Sequence, residues 1–345
     1  MVERVKVLVT GGSGFVGTYL VRKLLSENNE VAIMDRLDPS PDVIKEVTHY
    51  RVLDLSNLYN LKPYMFKDVD IIIHTAAKLP IERCTLDEYR KVNVVGTDNL
   101  LMMSSLHNIS KFVHISSSAV YGDPKCPVSE TSFTNPIEVY GQSKVEAEYV
   151  CQKYRICTDM NISIIRPRTI LGRERLGAFY LLFLSMKNNR PLYTIGNGKN
   201  KVQLISVNDL VDMIMLLIKS NVSNEDFNVG TDRYGTLNDD IGRDLVSMIG
   251  SKSKMFYLPA TIGKGLCRAL TKVVPIAPWH YELVDKDFYF DISKTENMLG
   301  WKPKDSNVEM LYDAYQWYIN EREHNCLSVH KSSPKSKIVR LLAGK

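Results

Sequence analysis

At 345 residues, 44% hydrophobic and 24% charged, the chain has the composition of a soluble globular protein with room for one large or two ordinary domains. The formal charge of +5 sits in the tail: "SVHKSSPKSKIVRLLAGK" (328–345) holds Lys331, Lys335, Lys337, Arg340 and Lys345 and no acid, so the body is neutral and gives no nucleic-acid signal. Six cysteines without paired spacing (84, 126, 151, 157, 267, 326), seven scattered histidines, no membrane-length apolar run and no signal-peptide core argue against disulfides, metal and membrane spans, and point to a cytoplasmic protein with reduced thiols.

The first element is "RVKVLVT" (4–10), an apolar, β-branched run of the kind that forms a buried strand. A glycine cluster follows, then "FVGTYLVRKLLSE" with apolar positions at helical spacing. "EVAIMD" (30–35) is a second strand ending in an acid, and a third precedes Asp54 in "VLDLS". "DVDIIIHTAA" (68–77) and "KFVHISS" (111–117) are further strands with a helix between them. A helix over 139–156 leads into "NISIIRP" (161–167), a strand stopped by proline. This alternation predicts an α/β fold, a doubly wound parallel sheet with helices on both faces.

After Pro167 the pattern loosens. "RERLGAFYLLFLSMKNN" reads as a helix, "KVQLIS" as a short strand, "VNDLVDMIMLLIKS" as a helix and "DFNVG" as a strand returning to the main sheet. Residues 235–325 read as mostly helical, ending in "NVEMLYDAYQWYINERE". The expected organisation is a dinucleotide-binding Rossmann domain (1–168) that takes back a strand near 226–230. An interleaved, smaller and mostly helical substrate domain (169–325) follows, and then a basic mobile tail (326–345).

"VTGGSGFVG" places Gly11, Gly14 and Gly17 directly after the first strand, with Phe15 and Val16 opening the helix. Strand, glycine turn, helix and second strand in this order form a pyrophosphate site, with the helix dipole facing the phosphates. Asp35 suits the adenosine ribose hydroxyls and would repel a 2′-phosphate, which favours NAD over NADP. Arg36 beside it suits adenine stacking or a 2′-phosphate. Asp54, followed by Leu55, suits the adenine amine or, alternatively, a cap for "NLYNLKPY".

In "VYGQSK" (139–144) Tyr140 and Lys144 share one helix face. The pair is either a solvated face or a phenol whose proton loss is eased by a fixed cation. "ISSSAVYG" (115–122) puts Ser117 at the end of a strand, facing the cofactor crevice, so Ser117, Tyr140 and Lys144 form a candidate catalytic set. Serine would hold the substrate oxygen, tyrosine would exchange its proton, and lysine would lower the phenol pKa and hold the nicotinamide ribose.

Together "TGGSGFVG", "HTAA", "VNVVGT", "SSSAVYG", "PVSE", "YGQSK", "RPRTILG" and "DISKTENMLGWKP" resemble the extended short-chain dehydrogenase/reductase family, from Val5 to about Tyr318. The resemblance implies tightly held NAD, a substrate bound by the carboxyl-terminal part, and a homodimer through two helices per subunit, one carrying Tyr140. Position matching puts Ala76, Ala77 and Asn93 on the cofactor side; Asn93 serves equally well as a buried structural hydrogen bond. Pro167 joins the cofactor set, and Lys78, Ser118, Thr169 and Arg175 are candidate substrate contacts.

Dehydratases of this type carry Thr-Asp-Glu before "VYG"; here Ser117, Ser118 and Ala119 offer no carboxylate for water loss. Sugar 4-epimerisation through a transient 4-keto sugar is the leading expectation, on a nucleotide or polyprenyl diphosphate carrier. The substrate end departs from the nucleotide-sugar pattern: Thr169 replaces an asparagine, Val202 an arginine, and His280 or Lys286 another arginine. Arg168, Arg173, Arg175, Lys199 and Lys201 are alternative anion contacts or simply a basic loop surface. The run from "IIRPRTILG" to "LISVND" looks like epimerases of polyprenyl-linked sugars, and "KIVRLLAGK" is either a peripheral anionic-membrane contact or a solubilising tail. Two other readings stay open. One is a hydroxysteroid-type dehydrogenase or ketoreductase with Trp279, Tyr281, Phe288 and Tyr289 lining an apolar pocket. The other is a non-catalytic dinucleotide-binding scaffold.

Overall fold

In the computed structural model, which describes residues 5–80, 84–176, 179–270 and 281–322, the β-branched runs form one seven-stranded sheet. Its strands are β1 (Lys6–Thr10), β2 (Glu30–Asp35), β3 (His49–Val52), β4 (Ile71–His74), β5 (Lys111–Ile115), β6 (Asn161–Pro167) and β10 (Asp226–Val229). All neighbours are parallel, in the order β10-β6-β5-β4-β1-β2-β3. The order reverses between β1 and β4, which opens a crevice beyond the carboxyl ends of those strands.

Both faces of the inner strands are covered, so these strands are mostly apolar and successive residues enter opposite cores, while the edge strand β3 (HYRV) is largely exposed. Val7 and Val9 pack with Leu20, Val21 and Leu24 of α1 (Phe15–Ser26) on one face. Leu8, Ile72 and Phe112 pack with Leu100 and Leu101 of α2 (Gly96–Leu106) on the other. A single wide-turn stretch, Arg90–Val95, joins α2 to the preceding helical turn Leu86–Tyr89. Helix α3 (Val139–Cys157) crosses that second face, and α5 (Val207–Lys219) lies beside α1 with Met213, Ile214 and Leu217 in the first core.

The remaining chain forms a second lobe with its own core of Leu171, Phe183, Leu192, Leu245, Met310 and Tyr315. It contains α4 (Phe179–Lys187), α6 (Ala260–Leu270) and α8 (Asn307–Arg322), whereas α7 (Ser293–Leu299) packs against β10 of the main sheet and against α5. The lobe also holds two parallel two-stranded ladders: β7 (Thr169–Leu171) with β9 (Leu204–Ser206), and β8 (Leu192–Ile195) with β11 (Met255–Leu258). Strand β11 lies in a stretch read as helical from sequence. Its four residues pair with β8, and Phe256 meets Tyr193 with ring centroids 5.9 Å apart, a pairing that local periodicity does not reveal. Helix α4 starts at Phe179 rather than at Arg173, because Gly172 and Arg175 form an antiparallel bridge across a turn with Glu174 at φ 72°.

No helix among the described residues is long and apolar enough to cross a membrane, and no cluster of His, Cys, Asp or Glu among them suits a metal. Cys84, Cys126, Cys151, Cys157 and Cys267 are unbridged. Trp279, His280, Cys326 and the basic tail lie outside the described residues.

Candidate active site

The turn between β1 and α1 is shaped by what a side chain would hit. Gly11 has φ +73°, and a Cβ there would sit 2.6 Å from Ala76 N; a Cβ on Gly17 would sit 2.0 Å from Gly11 O. The turn closes through Gly11 N donating to Met34 O at 2.8 Å and Gly14 N to Gly11 O at 2.9 Å. Gly14 is the N-cap of α1 and brings no side-chain cap, so the helix presents bare amides at its positive end. Asp35 closes the other rim: Oδ2 accepts Ser13 N at 2.9 Å and Oδ1 accepts Leu37 N at 3.1 Å. Oδ1 also accepts Arg36 N at 2.5 Å and is filled, so Oδ2 keeps the lone pair for a ribose hydroxyl. Arg36 is exposed beside it. This cradle fits a dinucleotide pyrophosphate and its adenosine ribose.

Asp54 does not cap the following turn. Its Oδ1 accepts both the amide (2.9 Å) and the hydroxyl (2.8 Å) of Ser56, while Asn57 is the cap, accepting Tyr59 N at 3.1 Å. Burial works against the Asp54 charge, but the two Ser56 bonds and the cations of Arg36 and Lys91 hold its pKa below the usual carboxylate range. Leu55 is buried against Gly96, at the start of α2. Asn93 takes the structural role open to it: its Oδ1 accepts Lys78 N at 2.7 Å, its Nδ2 donates to Lys78 O at 3.2 Å and to Ser143 Oγ at 2.9 Å. It thereby pins the Ala76–Ala77–Lys78 loop above β4 to α3.

Helix α3 is started by Glu138, whose carboxylate accepts Tyr140 N at 3.0 Å and Gly141 N at 2.8 Å. A Cβ on Gly141 would lie 2.6 Å from Ala119 O, so glycine lets the first turn press on the loop beyond β5. That brings Tyr140 to Ser117, whose hydroxyl accepts Ala119 N at 3.1 Å and stands close enough to act on the phenol. The Tyr140 ring is 6% exposed and meets the edge of Tyr89 at 5.9 Å. Burial pushes the phenol up to about 12; the Ser117 hydroxyl pulls it down, Glu138 raises it and the Arg175 guanidinium lowers it. Arg175 reaches this point from the second lobe, 5.4 Å over the Phe15 ring. Ser118 is buried, Thr169 opens β7, and Pro167 ends β6.

Lys144, one turn further along α3, is 1% exposed. Its Nζ donates to Ile115 O at 2.7 Å and lies 3.2 Å from His114 Nε2, with no hydrogen bond to Tyr140. Burial pulls it down to about 8, opposed by Glu148 and Cys151. Burial first, and then the Lys144 charge, hold His114 well below its usual range, so the ring is neutral. His114 is a neighbour that sequence reading missed; "KFVHISS" marks it only as another inward strand residue.

A buried lysine with a lowered pKa binds fewer protons folded than unfolded, so its penalty shrinks as pH rises from about 8 to the ordinary value of 10.5. Lys144→Met should therefore be more stable than the parent by a margin that falls by up to about 3 kcal/mol across that window. Urea denaturation of both proteins from pH 7 to 10.5 checks it; a constant margin would mean the ammonium is not desolvated.

The structure gathers Phe15, Ser117, Tyr140, Lys144 and Arg175 around the carboxyl end of β5. It keeps other candidates apart: Arg173 forks onto Asp313 at 2.6–3.1 Å, Lys286 pairs with Asp123, and Lys199 is exposed. Lys201 lies 5.7 Å over the Tyr289 ring. Phe288 is buried, and Tyr289 stacks with Tyr234 at 5.3 Å.

Comparison with known proteins agrees with this geometry. A sequence profile of the NAD dependent epimerase/dehydratase family matches residues 7–230. An uncharacterized protein, y4nG, of Sinorhizobium fredii is 32% identical over 350 residues, 97% of this chain and 85% of its own. The UDP-glucose 4-epimerase of Vibrio cholerae is 28% identical over 337 residues, covering 91% of this chain and 95% of that one. Among solved structures, the UDP-glucose 4-epimerase of Thermotoga maritima shares the fold with a TM-score of 0.76 at 22% identity, over 92% of this chain and all of the other. UDP-glucuronic acid 4-epimerase of Bacillus cereus, solved with NAD, gives 0.75 at 23% identity, over 92% and 99%. A glycine cradle with an acid at its rim, a serine–tyrosine pair at the sheet edge and the profile match lead to one conclusion: the chain is an NAD-dependent enzyme and belongs to the NAD dependent epimerase/dehydratase family.

Proposed function

We propose that the enzyme is a 4-epimerase of a sugar carried on a diphosphate. The observation that supports it most is the placement of Ser117 beside the buried Tyr140 phenol at the end of β5, where its hydroxyl lowers the phenol pKa, with no carboxylate in residues 117–119 to drive water loss. The curated relative from Vibrio cholerae bears the same activity in its name. Bound NAD supplies the hydride acceptor and, in the return half, the donor. Ser117 orients the sugar hydroxyl and Tyr140 holds its proton while the carbon is a ketone; the ketone turns over, and Tyr140 returns the proton to give the epimer. Lys144 and Arg175 favour the phenolate, the first once the nicotinamide ribose aligns it. Buried Phe288 and Phe290 pack against a guanidinium rather than line an open apolar pocket, which favours a sugar over a steroid-like alcohol.

The same reading includes a homodimer through α2 and α3, where Leu106, Tyr149 and Ile156 are exposed apolar side chains. It places the enzyme in the cytoplasm, with the basic tail (326–345) as its one possible contact with an anionic membrane.

The test is to release and weigh the small molecules bound to the purified protein, then to supply UDP-glucose and, separately, a polyprenyl diphosphate sugar without added cofactor. The expected result is retained NAD and an epimer formed with no net cofactor change. Product that appears only in proportion to added cofactor would identify a dehydrogenase instead.

A further inference from the structure

Arg166 and Arg168 are both buried, two residues apart along and just beyond β6, and are treated in opposite ways. Arg166 forks onto Glu148 at 2.7 and 2.9 Å and reaches Asp226 at 3.0 Å. Arg168, 4% exposed, has no carboxylate among the described residues. Its guanidinium lies 3.8 Å over the Phe288 ring, Nε donates to Gln203 O at 3.2 Å, and Nη1 is buried with no acceptor. Desolvation pulls its pKa down to about 9, which is far below arginine's usual value.

An unpaired buried cation costs several kcal/mol, and an aromatic face returns only about 2 of them. The place where the charge stands suggests what offsets the rest. Arg168 follows the carboxyl end of β6, at the edge where α/β enzymes bind ligands. It faces the seam between the lobes, where three segments meet: Cys126 Sγ donates to Asp287 O at 3.3 Å, Phe288 N donates to Lys201 O at 2.9 Å, and Val202 bridges Phe288. Lys201 adds a second, exposed cation at this seam.

We propose that Arg168 recognises the diphosphate of the substrate. A planar fork with free donors matches phosphate oxygens. Arg175 lies over Phe15 beside the glycine turn, whereas Arg168 lies over Phe288 against Gln203, so the two guanidiniums stand in different places and Arg168 is left for the diphosphate end of the substrate. The inference rests on the sugar-diphosphate reading above.

The test compares wild type, Arg168→Met and Arg168→Lys, all loaded with NAD, for binding of UDP and of farnesyl diphosphate by calorimetry, and for melting temperature without ligand. The wild type should bind at least one of the two probes, the preferred one identifying a nucleotide or an isoprenyl carrier. Arg168→Met should bind that probe at least about 30-fold more weakly yet melt no lower than wild type, since a cation without a counterion is gone. Arg168→Lys should fold and bind weakly. Three results would each overturn the proposal: neither probe binding the wild type, Arg168→Met binding as the wild type does, or Arg168→Met failing to fold while Arg168→Lys binds normally. If Arg168→Met binds normally and epimerisation still needs Tyr140, only the role of Arg168 is lost and the functional reading stands.

Discussion

Replacing Tyr140 by phenylalanine should lower kcat for epimer interconversion by about 100- to 10,000-fold, the range that a positioned proton-transfer group contributes. The substitution removes one oxygen. The ring keeps its edge contact with Tyr89 and its place in α3, and the amide bonds to Glu138 are untouched. What is lost is the hydroxyl that stands beside Ser117. Melting temperature and retained NAD should therefore match wild type, so the loss reads on chemistry rather than on folding. The phenol starts with its pKa pushed up to about 12, so the bound state has to bring it down before it can act as a base near neutrality. Arg175→Met should shift the ascending, acid-side limb of the kcat profile to higher pH, because the guanidinium favours the phenolate. Turnover by Tyr140→Phe within about threefold of wild type would remove the tyrosine from the mechanism and return the scaffold reading to consideration.

The second large effect is on stability. Arg166 binds Glu148 with both nitrogens, Asp226 with one, and the Tyr121 hydroxyl at 2.9 Å. Glu148 also accepts Ser116 Oγ at 2.5 Å, and Tyr121 donates to Asn228 at 2.8 Å. The network joins α3, β6, β10 and the loop carrying Ser117. Arg166→Met leaves the Glu148 side chain buried without its partner, which should cost about 3–5 kcal/mol, a large share of an ordinary domain's stability. Adding Glu148→Leu removes the stranded carboxyl group and should restore most of it. Equilibrium urea unfolding of the two single variants and the double variant measures the coupling. A loss below about 1 kcal/mol for Arg166→Met would show that water reaches the network.

The Rossmann half was legible because its signals are short-range. Gly11, Gly14 and Gly17 are needed where a Cβ would strike backbone two or three ångströms away, and a strand buried on both faces must be apolar at each residue. Tyr140 and Lys144 share a helix face by spacing alone. The second lobe was less legible. Strand β11 exists because Phe256 finds Tyr193 more than sixty positions away, and helix α4 begins late because Gly172 bridges Arg175. The capping role that was the alternative reading for Asp54 falls to Asn57, a choice between neighbouring polar side chains that spacing does not settle.

The amino-acid sequence on its own determined the parallel sheet, the dinucleotide cradle, and the serine, tyrosine and lysine of the site, since each follows from steric and periodic rules within some thirty residues. Only the tertiary structure decided which charges act on which groups. It put Lys144 against the end of β5, Arg175 near the phenol, and Arg168 in a buried seam with no carboxylate partner among the described residues, while Arg166 received two carboxylates. Electrostatic strength depends on burial and on partners brought from distant parts of the chain, and neither is written in local order.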